Sequence, residues 1–305
     1  MNARKRFGVD WRLAALMSLL LTTAVSAGIE ASAYVREIEK ARAERRENLT
    51  RADGWLTLIG LCFLEPGSNS IGSAPDNRIV LPKGPAHLGT VILSPAGRVS
   101  ITTNPAADVK VDGREVLGAP LVVEGREPPT LVTTGTLTLY AIERGGRLAL
   151  RVRDSESERR MNFAGIDYFP IDPAWRIEAR WEDFPRAKEV TFRNILGQES
   201  TALVPGKAVF EKDGRTFELL PLVEAVNEPL MFVISDLTSG DETYEAARFV
   251  YADPPRGGKI VLDFNEALNP PCAFTPFATC PLPPKENQLP IAVRAGEKKY
   301  RGEHE

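Results

Sequence analysis

The chain has 305 residues, 43% apolar and 26% charged, a globular composition with enough length to bury a sizeable core. With 38 basic against 41 acidic side chains and a formal charge of −3, it has no cationic excess to neutralise phosphates, which excludes nucleic acid as a partner. Gly and Pro, 24 of each, recur as punctuation and predict many turns between short elements.

Arg4, Lys5 and Arg12 give a positive start, and Leu13–Val25 is an apolar run of signal-peptide length, too short to span a bilayer comfortably. Val25-Ser26-Ala27 carries the small residues of a cleavage site, and Ala31-Ser32-Ala33 offers a second. Residues 1–27 therefore read as a signal peptide and the mature protein as periplasmic or secreted, with no membrane span after cleavage. An uncleaved N-terminal anchor is the alternative. No Cys follows closely, which argues against a lipoprotein anchor. Export would place the three cysteines in an oxidising compartment. Cys272 and Cys280 are close enough in sequence to bridge, leaving Cys62 as a buried thiol inside the apolar run Trp55–Leu64.

Residues 28–54 are the next unit, with a helix over 29–50. Tyr34, Ile38 and Ala41 or Arg42 fall on one stripe, Glu and Arg fill the other faces, and Asp53-Gly54 ends it. From Trp55 the pattern is short strands and turns. The first are Trp55–Ile59, a turn over Glu65–Asn69, Ile79–Leu81, Thr90–Leu93 and Val99–Thr102, with Pro95-Ala96-Gly97 as a hairpin turn. Val109–Val111 runs into an Asp112-Gly113 turn, and Thr136–Ile142 and Leu148–Arg153 flank Gly145-Gly146. Further strands are predicted at Trp175–Trp181, Glu189–Arg193, Ala208–Glu211, Thr216–Leu220, Met231–Ser235, Arg248–Tyr251, Lys259–Phe264 and Pro290–Arg294. Asp213-Gly214 and Gly257-Gly258 mark turns among them. Arg176, Glu178 and Arg180 alternate with Trp175, Ile177, Ala179 and Trp181, the period of a half-buried strand. The expected fold is mainly β: one N-terminal amphipathic helix followed by two packed β-sandwich or barrel-like units. These span residues 55–154 and 155–305, with the polar stretch Asp154–Glu158 at the boundary.

Only His87 and His304 exist, so a nucleophilic triad would have to use His87, whose loop setting reads as surface. No metal-ligand spacing, phosphate loop or dinucleotide fingerprint is present, and no cofactor is expected. The segment Asn269-Pro270-Pro271-Cys272 to Cys280-Pro281-Leu282-Pro283-Pro284 holds six prolines, which fix φ and remove donors. It reads as a rigid, extended loop lying against the body of the protein, able to present groups to a ligand or simply to cover a sheet.

Several of these stretches carry a resemblance. Gly54-Trp55-Leu56-Thr57-Leu58, Gly67–Ser73, Arg151-Val152-Arg153-Asp154, Tyr168–Pro173, Asp236–Gly240 with Thr243-Tyr244, Arg248-Phe249 and Asp263-Phe264-Asn265 through Pro284 resemble the bacterial and archaeal domain of unknown function 1684 family over residues 55–300. Glu245-Ala246-Ala247 departs from the Gly-Ala-Gly usual there. The resemblance implies no catalytic role, since the family has no established activity. Ile71–Pro82 and Val111-Asp112-Gly113 also resemble a degenerate forkhead-associated sandwich in the first half. The phosphate-binding arginine and serine of that module would fall at Ser73 and His87, so both are lost.

The functional expectation is a binding protein for a small or anionic ligand in the second unit. A hydrolase or lyase and an envelope protein-interaction module are the alternatives. Arg153, Arg160, Arg248, Asn265 and Asn269 are the ligand-binding candidates, since guanidinium forks and amides suit carboxylate or phosphate. Asp236 or Asp263 as base and Tyr244 as proton donor are the catalytic candidates. The partner class is a small molecule or a protein.

Overall fold

The computed structural model describes residues 11–125, 127–223 and 228–302, with side chains from Ala31 onward. The opening of the leader (residues 1–10) and His304 lie outside the described residues, as do the side chains of the apolar run 13–25. Two compact units result, residues 1–44 and 45–305.

Helix α1 (Trp11–Thr50) begins well before the helix that sequence periodicity places at 29–50. Along its described side chains Tyr34, Ile38 and Leu49 are buried, and Ala41, Arg42 and Arg45 are half-buried, which is the expected stripe. Lys40 and Glu44 pair one turn apart at 3.5 Å. No helix among the described residues is long and apolar enough to cross a membrane.

A five-stranded sheet in the first half has the order β1 (Leu58–Phe63), β10 (Arg147–Asp154), β9 (Leu137–Arg144), β8 (Val132–Thr134) and β6 (Lys110–Val111). The second, also five-stranded, has the order β3 (Ile79–Val80), β2 (Gly67–Gly72), β4 (Gly89–Leu93), β5 (Val99–Thr103) and β7 (Gly118–Leu121). Both contribute to one core, through Ile71, Val91 and Ile101 on one side and Leu139, Leu150 and Val152 on the other. Two details differ from the sequence expectation. Trp55–Thr57 is a 3-10 turn rather than strand, because the Thr57 hydroxyl bonds back to the Gly54 carbonyl at 2.6 Å. Pairing also resumes at Gly67, inside the stretch read as a turn, because Asn69 bonds both the N–H and the carbonyl of Glu65 and closes the chain there.

The second half builds a four-stranded sheet of order β13 (Arg215–Leu219), β12 (Glu199–Lys212), β11 (Arg176–Arg193) and β16 (Lys259–Asp263), and a pair, β14 (Leu230–Ile234) with β15 (Arg248–Ala252). Phe210, Phe217, Phe232, Leu262 and Phe264 fill a second core between them, where Phe264 meets Trp175 edge-on at 5.7 Å. Strand β11 joins the two strands predicted at 175–181 and 189–193. Its ladder with β12 slips between Asp183 and Lys188, where Pro185 and Pro205 each lack a donor, so a bulge bends the strand without ending it. The strand predicted at 290–294 is absent for a reason given below.

The Asp-Gly turns form as the sequence predicts. Asp112 and Gly113 have φ of 47° and 75°, and Asp213 and Gly214 have 51° and 71°, the mirror-image turn geometry that matches strand twist. Gly145-Gly146 joins β9 to β10 in the same manner, with Arg144 paired to Arg147. Between the halves lies the single-turn helix α2 (Glu158–Met161), capped by Ser157, whose hydroxyl bonds the Leu56 carbonyl at 2.7 Å.

Candidate functional site

The candidate residues divide among separate places. Arg248 is 1% exposed and its guanidinium bonds Asp236 at 2.8 Å and the carbonyls of Val293, Ala295 and Glu297. Asp236 also accepts from the N–H and hydroxyl of Thr238 and from the Val293 N–H. This pair is a staple: the guanidinium holds 293–297 by its carbonyls, so that segment needs no ladder partner and is not a strand. Desolvation holds the Arg248 guanidinium below its ordinary value, against the pull of Asp236.

Asp263 receives the N–H of Asn265 at 3.0 Å, and the Asn265 amide exchanges two bonds with the Asp172 backbone. Asn269 is 0% exposed; its N–H donates to Glu297 at 2.6 Å and its amide donates to the Lys298 carbonyl. Glu297 takes Arg45 on its other oxygen at 2.9 Å. Arg160 ties the Thr50 and Ser155 carbonyls, both at 2.7 Å. These groups brace backbone: Asp236, Arg248 and Asn269 meet around Glu297, Asp263 and Asn265 hold Asp172, and Arg160 holds the end of α1.

Arg153, Tyr244 and the two cysteines are the candidates that a common neighbourhood does bring together. On β10, Leu148, Leu150 and Val152 point into the first core, so Ala149, Arg151 and Arg153 occupy the opposite face. The same alternation puts Tyr140, Ile142 and Arg144 of β9 beside them, with Leu61 and Phe63 of β1. This outer face is not a solvent face, for Arg151 is 3% and Tyr140 2% exposed. The Arg151 guanidinium lies 5.2 Å from the Trp55 ring centre and 5.9 Å from that of Tyr140, and Arg153 lies 5.0 Å from Tyr140. Three guanidiniums, Arg144, Arg151 and Arg153, crowd this seam. Glu124 pairs with the first two, at 3.6 and 3.4 Å. Burial, with the Arg151 charge alongside, holds the Arg144 guanidinium below its ordinary value. Arg151 Nε, Arg153 Nε and the Tyr140 hydroxyl are buried and have no hydrogen-bond partner among the described residues.

The Pro/Cys segment shares the Trp55 neighbourhood. Trp55 and Tyr244 pack against the cluster of Cys272, Ala278, Cys280, Met231 and Phe249. The segment lies against the body of the protein, with Ala273, Phe274 and Thr275 at 0% exposure, but it opens on a 3-10 turn at Pro271–Ala273 rather than running extended throughout. The Tyr244 hydroxyl donates to the Cys272 carbonyl at 3.2 Å, and the Thr275 hydroxyl donates to that of Leu58, the strand partner of Arg153. The tip of the β11–β12 hairpin grips the segment from the other side, through Ile195 N–H to the Cys280 carbonyl and Leu282 N–H to that of Arg193. Cys272 and Cys280 do not bridge: both are free thiols. Desolvation, together with the Cys272 sulfur beside it, pushes the Tyr244 hydroxyl up, which does not suit it to donate a proton.

The middle of the segment, at Phe277, forms part of the wall of an open cleft of about 710 Å³, together with Lys83, Asp154, Ser157, Asn162 and Tyr300. Lys83 and Asp154 pair there at 2.7 Å. Arg159 reaches from the same wall under the Phe277 ring, 5.6 Å away. Among the described residues no cluster of three or more His, Cys, Asp or Glu could hold a metal. His87 is exposed in its loop, as read from sequence.

Sequence reasoning missed Tyr140, Arg151 and Trp55. The signal was present: both faces of Leu137–Ile142 are largely apolar, the mark of a strand covered on two sides.

The family model described as Protein of unknown function (DUF1684) matches residues 161–298. A solved structure, the solution NMR structure of an uncharacterized protein from Haloarcula marismortui, is 31% identical to this chain. It covers 46% of this chain and 78% of that one, with a TM-score of 0.39. No curated protein matches the sequence.

Proposed function

The chain belongs to the family of proteins of unknown function DUF1684, and from that premise we propose that it is an exported binding protein for a small organic anion, held at the arginine–aromatic seam. The observation that carries this reading is the trio of buried donors on Tyr140, Arg151 and Arg153 that have no hydrogen-bond partner among the described residues. A buried donor without an acceptor costs about 1–3 kcal/mol, more when charged. A carboxylate or phosphate supplies the missing acceptors, and a guanidinium fork presents parallel donors to either. The half-buried Trp55, Arg153 and Tyr244 form the accessible rim. Export, to the periplasm or outside the cell, rests on the positive start, the apolar run and the small residues at 25–27. Acid–base chemistry at Asp236 or Asp263 is not part of the proposal, because their carboxylates are committed to Arg248, Thr238 and Asn265.

Thermal-shift measurements against phosphate, sulfate, succinate and citrate test the seam. A native-state ligand at a hundredfold its Kd raises the midpoint by about 5 °C in a chain this size. Arg153→Gln should abolish that shift. Tyr140→Phe should reduce it while leaving the ligand-free midpoint unchanged or higher, since the variant removes an unmatched hydroxyl. A flat panel, or a shift that survives both variants, refutes the seam and favours a protein-interaction role.

A further inference from the structure

We propose that Cys272 and Cys280 are a redox-active dithiol, closed to a disulfide by exchange with a small external disulfide. The anion-binding reading plays no part in this and is tested separately. Placement carries the inference. The Cys272 N–H donates to Cys280 Sγ at 3.2 Å, so the second sulfur sits against the backbone of the first residue. Both belong to one buried cluster with Ala278 and Met231, and both are free. Each residue is anchored on its own: the Cys272 carbonyl by the Tyr244 hydroxyl, and the Cys280 carbonyl by the Ile195 N–H. Phe274 between them is wholly buried, and Pro271, Pro276 and Pro281 restrict the backbone. Two thiols held this near in a proline-restricted segment are placed to bond to each other.

Asymmetry within the pair assigns the roles. The neighbouring Cys280 holds the Cys272 thiol below its ordinary value against burial, while the Cys272 sulfur and burial push Cys280 up. Cys272 is also the more exposed, 7% against 4%. Its thiolate attacks one sulfur of the external disulfide, forming a mixed disulfide and releasing one thiolate, which takes up a proton. Cys280 then gives its proton to solvent, and its thiolate attacks the Cys272 sulfur, forming the internal disulfide and releasing the second external thiol. The protein loses two electrons and two protons, and the external disulfide gains both. Cys62 stands outside this chemistry, packed against the first core with burial pushing its thiol up.

The test uses the full chain in glutathione buffers of increasing oxidised fraction, read by thiol count, peptide mapping and melting. The expected result is loss of two of the three thiols, a single 272–280 crosslink, and a midpoint raised by about 5 °C as the closed loop restricts the unfolded chain. Cys62→Ser should leave that response intact. Cys280→Ser should trap glutathione on Cys272, while Cys272→Ser should take up far less. Three thiols surviving in fully oxidised buffer, or a crosslink to Cys62, would overturn the proposal. If a cysteine variant misfolds, the crosslink map of the unaltered chain still decides it.

Discussion

Arg248 shows how a residue type can mislead when its surroundings are unknown. An arginine near Asp236 and Tyr244 reads in sequence as an anion binder, yet its guanidinium is 1% exposed and bonded to Asp236 and three carbonyls. Removing one partner of such a pair leaves an uncompensated buried charge, so Arg248→Met should cost about 3–5 kcal/mol in urea unfolding. Asp236→Asn combined with Arg248→Met should cost less than the sum of the two. A loss below about 1 kcal/mol would show the staple to be unimportant. Arg153, two positions from Arg151 on the same face, has no such set of carbonyls and lies instead 5.0 Å from the Tyr140 ring centre.

At the scale of elements, hairpins were the most legible feature, because an Asp-Gly or Gly-Gly pair sets its turn by local sterics alone. The long strands were not. Pro185 and Pro205 look like strand breakers, but both fall where the register is interrupted between Asp183 and Lys188, so the ladder calls on neither for an N–H. Gly206 beside them is required for a different reason. A Cβ there would meet the Glu182 carbonyl oxygen at 2.5 Å and the Trp181 ring at 2.7 Å. Gly206→Ala should therefore cost about 2–3 kcal/mol by overpacking. Gly214→Ala, with φ of 71° and nothing within 4 Å, should cost only about 1 kcal/mol. Equal losses in urea titrations would contradict the close approach.

Residues 45–305 form one compact unit that holds two large hydrophobic cores, and the outer face of β1-β10-β9 is buried within it. Three carbonyl contacts near the start of β1 reinforce it: Ser157 to Leu56, and Arg159 and Thr275 to Leu58. Calorimetry should therefore give one transition for this part of the chain, with calorimetric and van't Hoff enthalpies in agreement. Two resolved transitions would mean that the halves fold separately and that the seam is a loose contact.

The amino-acid sequence by itself determined the β class, the Asp-Gly and Gly-Gly turns, the helix stripe and the proline restriction of the 269–284 segment. Each follows from interactions between residues near in the chain: period-two burial, positive φ at Asp-Gly, and fixed φ at proline. Only the tertiary structure decided that Arg151 and Tyr140 are buried, that Asp236 belongs to Arg248, and that Cys272 and Cys280 lie together as thiols. Burial and pairing of this kind depend on which distant surface covers a face, and no local pattern carries that information.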